Sequence, residues 1–271
     1  MPYPQNLETA KAVEATVKQA GATPATIAVI NGDLKVGLSD AELDALAQST
    51  GASKLSRADL SFAIAQGATG STTVAATMIS AHLAGIEVFA TGGVGGVHRG
   101  AQESFDISAD LQELALTPVT VVSAGPKAIL DIPKTLEVLE TFGVPVIAYG
   151  QQNLPAFWSC DSGITAPLSV NSEIEIVRFM RTRKSLGIKG GMLIGNPVPI
   201  QDQIPKEEME LTIAQAIEDA KHAGVSGKAV TPWLLGHIVE LTNGKSLLTN
   251  QSLIKNNAAL AARIAVNLAH G

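Results

Sequence analysis

Cysteine is almost absent. Cys160 stands alone in 271 residues, so no internal disulfide can form and a secreted disulfide scaffold is excluded. Charge is sparse, at 16 % of residues, and it lacks a basic excess. The 19 basic and 25 acidic side chains leave a formal net charge of −6, without the electrostatic footprint of a nucleic-acid binder. Long apolar runs are missing too. The stretch Leu60 to Ile86 carries no charge, but Gly67, Gly70, a Ser/Thr cluster and His82 interrupt it, which argues against a membrane span. The opening MPYPQNLETAK has neither an apolar core nor a cleavage-type site, so it does not read as a signal peptide. A cytoplasmic globular protein is the expectation, with a 46 % hydrophobic composition and length enough for a large core in one domain over 1–271.

What is present alternates. Residues 7–20 read as a helix closed by Gly21. ATIAVI and DLKVGL flank Asn31-Gly32, a hairpin signal. Ser39 with Glu42 opens a helix over 40–48, and Ser56 with Asp59 opens another. Thr72 to Ala84 reads as a small-residue helix. Strands are expected at 86–90, 117–123, 144–149 and 191–195, with helices at 109–116, 134–142 and 172–187 between them. The last third is helical, over 206–223, 231–242 and 246–267. Strand, loop and helix in turn imply an α/β sheet with helices on both faces, made mixed by the hairpin. No repeat or linker interrupts it.

Ligands of open α/β sheets bind beyond the carboxyl ends of the strands, and three loops qualify: Thr91–Arg99, Phe105–Asp110 and Ser123–Lys127. The first holds Gly92, Gly93, Gly95 and Gly96, which permit close backbone approach to a ligand or make a plain tight loop. It fails the dinucleotide fingerprint because His98 stands where the last glycine is required. His98 beside Arg99 offers an acid/base and a phosphate fork, or a surface pair. Asp106 and Asp110 flank Ser108 at a helix start, a pattern that suits a hard cation and an anion at the helix N-terminus, or simple capping. Lys127 directly follows an apolar strand. Such a lysine can lose its charge and act as an amine nucleophile, or be an ordinary solvated loop residue. Lys54 is a second candidate cation for phosphate. His82, His222, His237 and His270 lie in helical or terminal patterns, and no zinc spacing exists. There is no G-x-S-x-G elbow, and Cys160 reads as a buried thiol.

Taken as long runs, these segments match a family. PATIAVINGDLKVGL (24–38), KLSRADL (54–60), GATGSTTVAATM (67–78), IEVFATGGVGGVHRGA (86–101), FDISADL (105–111), SAGPKAILDIPKTLEVLET (123–141), FWSCDSG (157–163), NPVPIQDQIP (196–205) and TPWLLGHIVELTNGKSL (231–247) resemble the pseudouridine-5′-phosphate glycosidases, which include the indigoidine-cluster A proteins. The resemblance spans almost the whole chain. It implies a three-layer α/β/α sandwich with a mixed, mostly parallel sheet, assembled as homotrimers. It also implies reversible cleavage of the C–C glycosidic bond of pseudouridine 5′-phosphate to uracil and ribose 5-phosphate, with Mn²⁺ or another hard divalent cation.

Carried over residue by residue, the resemblance makes Lys127 the nucleophile that forms an imine-type adduct with C1′, and Asp106 the metal ligand. Ser108, Ala109, Asp110, Lys54 and Val74 become substrate contacts, and Thr91, His98 and Asn250 line the same pocket. It further implies a segment ahead of MPYPQN, of the kind A-L-E-S-T-I-I-x-H-G, whose glutamate protonates the base carbon and whose strand belongs to the sheet. The sequence starts at Met1, and no residue here inherits that role by alignment. Two other readings therefore stand beside glycosidase activity. One is a non-catalytic sugar-phosphate or nucleotide-binding relative. The other is a different Schiff-base enzyme, such as an aldolase, which rests on the lysine alone.

Overall fold

The computed structural model describes residues 1–225, 227 and 230–270. Its elements follow one another as α1 (Gln5–Gln19), β1 (Ile27–Ile30), β2 (Asp33–Val36), α2 (Asp40–Gln48), β3 (Ser53–Leu55), α3 (Arg57–Ala65), β4 (Gly70–Thr72), α4 (Val74–Leu83), β5 (Val88–Ala90), β6 (Val97–His98), α5 (Ala101–Ser104) and α6 (Ala109–Leu116). Then come β7 (Thr120–Ser123), β8 (Leu130–Asp131), α7 (Ile132–Thr141), β9 (Val146–Tyr149), β10 (Leu168–Val170), α8 (Glu173–Ser185), β11 (Met192–Gly195), a 3₁₀ turn (Ile200–Asp202), α9 (Lys206–His222), α10 (Val230–Leu241) and α11 (Lys245–His270).

The central sheet has the order β10-β9-β11-β7-β5, and every pairing in it is parallel. Its middle strands are apolar on both faces because both faces are covered. Successive side chains alternate. Val121, Val146, Ala148 and Leu193 pack with Met78 of α4, Leu111 and Leu114 of α6 and Leu139 of α7. Val122, Ile147, Met192 and Ile194 pack on the other side with Ile176 and Val177 of α8 and Leu260 and Ile264 of α11. The molecule is thus α/β with helices on both sides of a mostly parallel sheet, as expected.

The hairpin departs from expectation. The turn Asn31-Gly32 does join antiparallel β1 and β2, with φ of 50° and 82° at its two residues. The pair does not make the central sheet mixed. It belongs to a second sheet, β2-β1-β4-β3, that packs on α3 and α4. The strands β3 (SKL) and β4 (GST) that complete it are three residues long and partly polar, too short to carry a period. The helix expected from Thr72 starts at Val74, because Thr73 caps it by accepting a bond from Ala76 N–H and Thr72 is held in β4. Ser39 and Glu42 form the expected capping box. Among the described residues, no helix is long and apolar enough to cross a membrane.

Candidate active site

The carboxyl ends of β5 and β7 open into a cavity of about 620 Å³. One wall comes from the second sheet: Lys54 on β3, Ser56 before α3, and Thr73 and Val74 at the start of α4. The opposite wall is Asp106 to Asp110, which leads into α6. The floor is the glycine loop after β5 and Lys127 after β7. All three loops singled out from the sequence meet here.

Backbone bonds lock the floor. Ala124 N–H donates to Gly92 O, and Lys127 N–H donates to Val94 O, at 2.9 and 3.1 Å. Asn257 of α11 donates from Nδ2 to Thr91 O at 2.9 Å, and Asn196 donates from Nδ2 to Asn257 Oδ1 at 3.0 Å. Close approach explains two of the glycines. A Cβ on Gly93 would lie 2.6 Å from the Phe157 ring, and one on Gly95 would overlap the Ser108 side chain.

Asp110 is buried, and both its oxygens are engaged. Oδ1 accepts from Ala75 N–H at 2.9 Å and Oδ2 from Gly95 N–H at 2.8 Å. The carboxylate therefore ties the first turn of α4 to the glycine loop. Ser108 caps α6 by accepting from Asp110 N–H at 3.2 Å. Lys127 is partly buried and lines the cavity. Burial holds its pKa below the ordinary lysine value, the nearby Asp110 charge pulls it back up, and Lys54 pushes it down again. Burial likewise lowers the pKa of His98; the Asp106 charge opposes this, and Lys127 and Lys54 add to it. His98 Nδ1 lies 3.9 Å from Asp106 Oδ2, and His98 N–H donates to Asp106 O at 3.0 Å.

Lys127, Lys54, Val74, Thr91, His98, Asp106, Ser108, Ala109 and Asp110 all line the cavity. Asn250 does not. It sits on α11 one turn before Leu253, whose side chain touches Gly92, and its Oδ1 is buried without a partner. Ser56, Asp59, Thr73, Phe157 and Thr231 line the cavity and escaped the sequence reading. Ser56 and Asp59 carried only a capping signal, and the bond from Ser56 N–H to Asp59 Oδ2 bears that signal out. Phe157 has a φ of 61° and stacks edge-on against Trp158 at 4.9 Å. Nothing in the sequence marks such a backbone. Cys160 lies outside the cavity, donates to Val198 O and has its thiol pKa raised by burial, which disfavours the thiolate. His237 is also remote, between Asp219 and Glu240.

Among the described residues no cluster of three or more His, Cys, Asp or Glu side chains is disposed to hold a metal. Asp106 fits a cation in a narrower sense. Its carboxylate is half-exposed at the cavity wall, with the His98 ring beside it. A hard ion that keeps most of its ligands from water and substrate needs one or two such carboxylates.

A parallel α/β sandwich that holds a partly buried lysine beyond its strand ends, faced by carboxylates and a second lysine, has the arrangement of an enzyme site. The chain belongs to the indigoidine synthase A like protein family, whose model matches residues 1–267. It is 61 % identical over 271 residues to a pseudouridine-5′-phosphate glycosidase of Paracoccus denitrificans, a match that covers 99 % of this chain and 89 % of that protein. A protein of the same name from a Jannaschia species is 59 % identical, covering 98 % and 88 %. Among solved structures it resembles the prealnumycin C-glycosynthase AlnA in complex with ribulose 5-phosphate, with a TM-score of 0.92 and 35 % identity over 99 % of this chain and 88 % of that one. It also resembles an indigoidine synthase A-like protein of Thermotoga maritima, with a TM-score of 0.91 and 33 % identity over 99 % and 88 %.

Proposed function

We propose that this protein is a pseudouridine-5′-phosphate glycosidase, with Lys127 as its nucleophile. The observation that carries the mechanism is the Lys127 amine, desolvated at the cavity floor between Asp110 and Lys54. Relatives at 56–61 % identity bear that activity in their names.

A C-glycoside cannot leave as an alcohol after oxygen protonation, as an O-glycoside does. The leaving atom is a carbon, and its electrons must stay with the base. The neutral Lys127 amine attacks C1′, the C1′–O4′ bond breaks, and O4′ takes up a proton. The nitrogen lone pair then forms C=N⁺ as the C1′–C5 bond breaks. Its electron pair goes to uracil C5, which is protonated. Water adds to the iminium, releases ribose 5-phosphate and restores the amine. Lys54 offers a cation to the phosphate, and Ser108, Ala109 and Asp110 place the start of α6 against the substrate. Val74 and Thr91 bound the same space, His98 orients Asp106, and Asn250 supports the wall from α11. Asp106 would hold Mn²⁺ or another hard divalent cation, which would supply positive charge to bind and polarise the uracil oxygens. The reading takes the whole chain as one domain, cytoplasmic and assembled as a homotrimer.

The test adds pseudouridine 5′-phosphate and Mn²⁺ to the full chain and follows uracil by chromatography, with borohydride reduction of a ribose 5-phosphate mixture in parallel. Uracil release and a reduced pentose phosphate on Lys127 are expected. Ligand-dependent stabilisation with neither product nor adduct would establish the binding-protein reading instead. Light scattering tests the trimer.

A further inference from the structure

A second cavity, of about 780 Å³, lies at the amino ends of β5, β7 and β11, the end of the sheet opposite Lys127. Glu87, Thr120 and Met192 stand at the strand starts. The last turns of α8 and the loop over 187–191 wall it. It is larger than the catalytic cavity of about 620 Å³, so it has room for a ligand of nucleotide size.

One side chain in its lining has more charge than partners. Arg183 of α8 is 8 % exposed. Its Nη2 donates to the carbonyls of Lys189, Gly190 and Gly191 at 3.1, 3.4 and 3.4 Å. Its Nε and Nη1 donate to no acceptor among the described residues, and no carboxylate there pairs with it. The guanidinium carbon lies 6.0 Å from the centre of the Phe179 ring, which brings no counter-charge. Burial pushes the arginine pKa down with no acid opposing it, yet a guanidinium stays charged near pH 7. Burying a charge without a counter-ion is costly, so the donors left over are suited to an anion.

The surroundings have the same sign. Lys189 lines the cavity and has no ion-pair partner among the described residues. The backbone N–H groups of Lys189 and Gly190 donate to no acceptor there either. Glu87 is the one acid among the described lining residues, and Lys184 already engages it at 3.1 Å. The remaining lining is largely apolar, with Leu116, Met180 and Met192.

We propose that this cavity binds a small organic phosphate of nucleoside-monophosphate size, its phosphate held by Arg183 and Lys189 and its apolar body by Leu116, Met180 and Met192. The site is separate from the catalytic cavity and independent of what Lys127 does.

The full chain is titrated with adenosine 5′-monophosphate and with inorganic phosphate by calorimetry, and the Arg183 Nε–H signal is followed by NMR. Saturable binding of the nucleotide is expected, at least tenfold tighter than phosphate, with a shift of the Arg183 signal. Arg183→Gln is expected to weaken it tenfold or more. Because that variant also loses the bonds to the 189–191 carbonyls, the exposed Lys189→Glu is the second one. It is expected to weaken nucleotide binding tenfold or more while Tm stays unchanged. Equal affinity for nucleotide and phosphate overturns the organic phosphate. Absence of binding overturns the site, as does binding that leaves the Arg183 signal still or survives Lys189→Glu. Uracil release plays no part in either readout, so failure of the glycosidase reading would leave this test intact.

Discussion

A lysine is a poor nucleophile while it carries its proton, and Lys127 is placed where the proton binds weakly. Burial lowers its pKa below 10.5, and the Asp110 charge only partly offsets that. The rising limb of the pH–rate profile is therefore expected below the range of an exposed lysine. The same shift carries a stability cost. Between the folded and unfolded pKa values the unfolded chain binds more protons, so stability rises with pH across that window, and the penalty is complete below the folded value. Lys127→Met is expected to raise Tm near pH 7 and to lose that gain as the pH approaches 10.5. It should also reduce uracil release by about 10³-fold or more. Calorimetry at two pH values and a turnover assay check both halves. A Tm unchanged at both pH values would mean that the amine is solvated.

Elements meet at the cavity through a few contacts that leave no slack. Gly95 lies against Ser108 and bonds Asp110, so Gly95→Ala must push the start of α6 away from the glycine loop. A displacement near 1 Å in a positioned site costs about 10²-fold in rate, and overpacking costs about 1–3 kcal/mol in stability. Kinetics and denaturant unfolding on the variant read the two effects separately. A second tie lies outside the cavity. The Glu113 carboxylate of α6 is 1 % exposed, and it accepts from Arg57 of α3 and from Thr117 Oγ1. The wall bearing Lys54 and the wall bearing Ser108 are thereby joined. Arg57→Met leaves a buried carboxylate short of its cation. A loss of about 1–3 kcal/mol is expected, below that of a fully buried pair because Arg57 is partly solvated. Urea unfolding measures it.

The elements also show what the sequence could carry. The capping pairs Ser39–Glu42 and Ser56–Asp59 and the Asn31-Gly32 turn act over three or four residues, and each was legible. Lys127 was legible as a candidate because it follows an apolar strand, and Asp106 because it flanks Ser108 at a helix start. The second sheet was not, since β3 and β4 are held by pairing with each other and with β1, partners distant in sequence. Phe157 was invisible for a related reason. Its left-handed backbone is imposed by a bond from its N–H to Ala124 O and by the Gly93 surface under its ring.

Across the whole molecule, substrate binding and folding are linked, because the cavity walls come from both sheets and exist only in the folded chain. A ligand at about 100 times its Kd adds about 2.7 kcal/mol of stability, worth about 5–10 °C in a chain of this size. Ribose 5-phosphate is expected to shift Tm by that order, and Lys54→Ala to reduce the shift without lowering the Tm of the free protein. Differential scanning fluorimetry across a ligand series decides it. An equal shift in both proteins would remove Lys54 from the phosphate.

The bond from Asn257 to Thr91 O spans 166 positions of the chain. A ribosome that adds about 5–20 residues per second needs about 10–30 s to make that stretch. During that interval the glycine loop exists as chain, but the helix that braces Thr91 has not been made. The start of the glycine loop therefore gains its brace only when the last helix has been made. A chain stalled before α11 would carry the glycine loop without that brace.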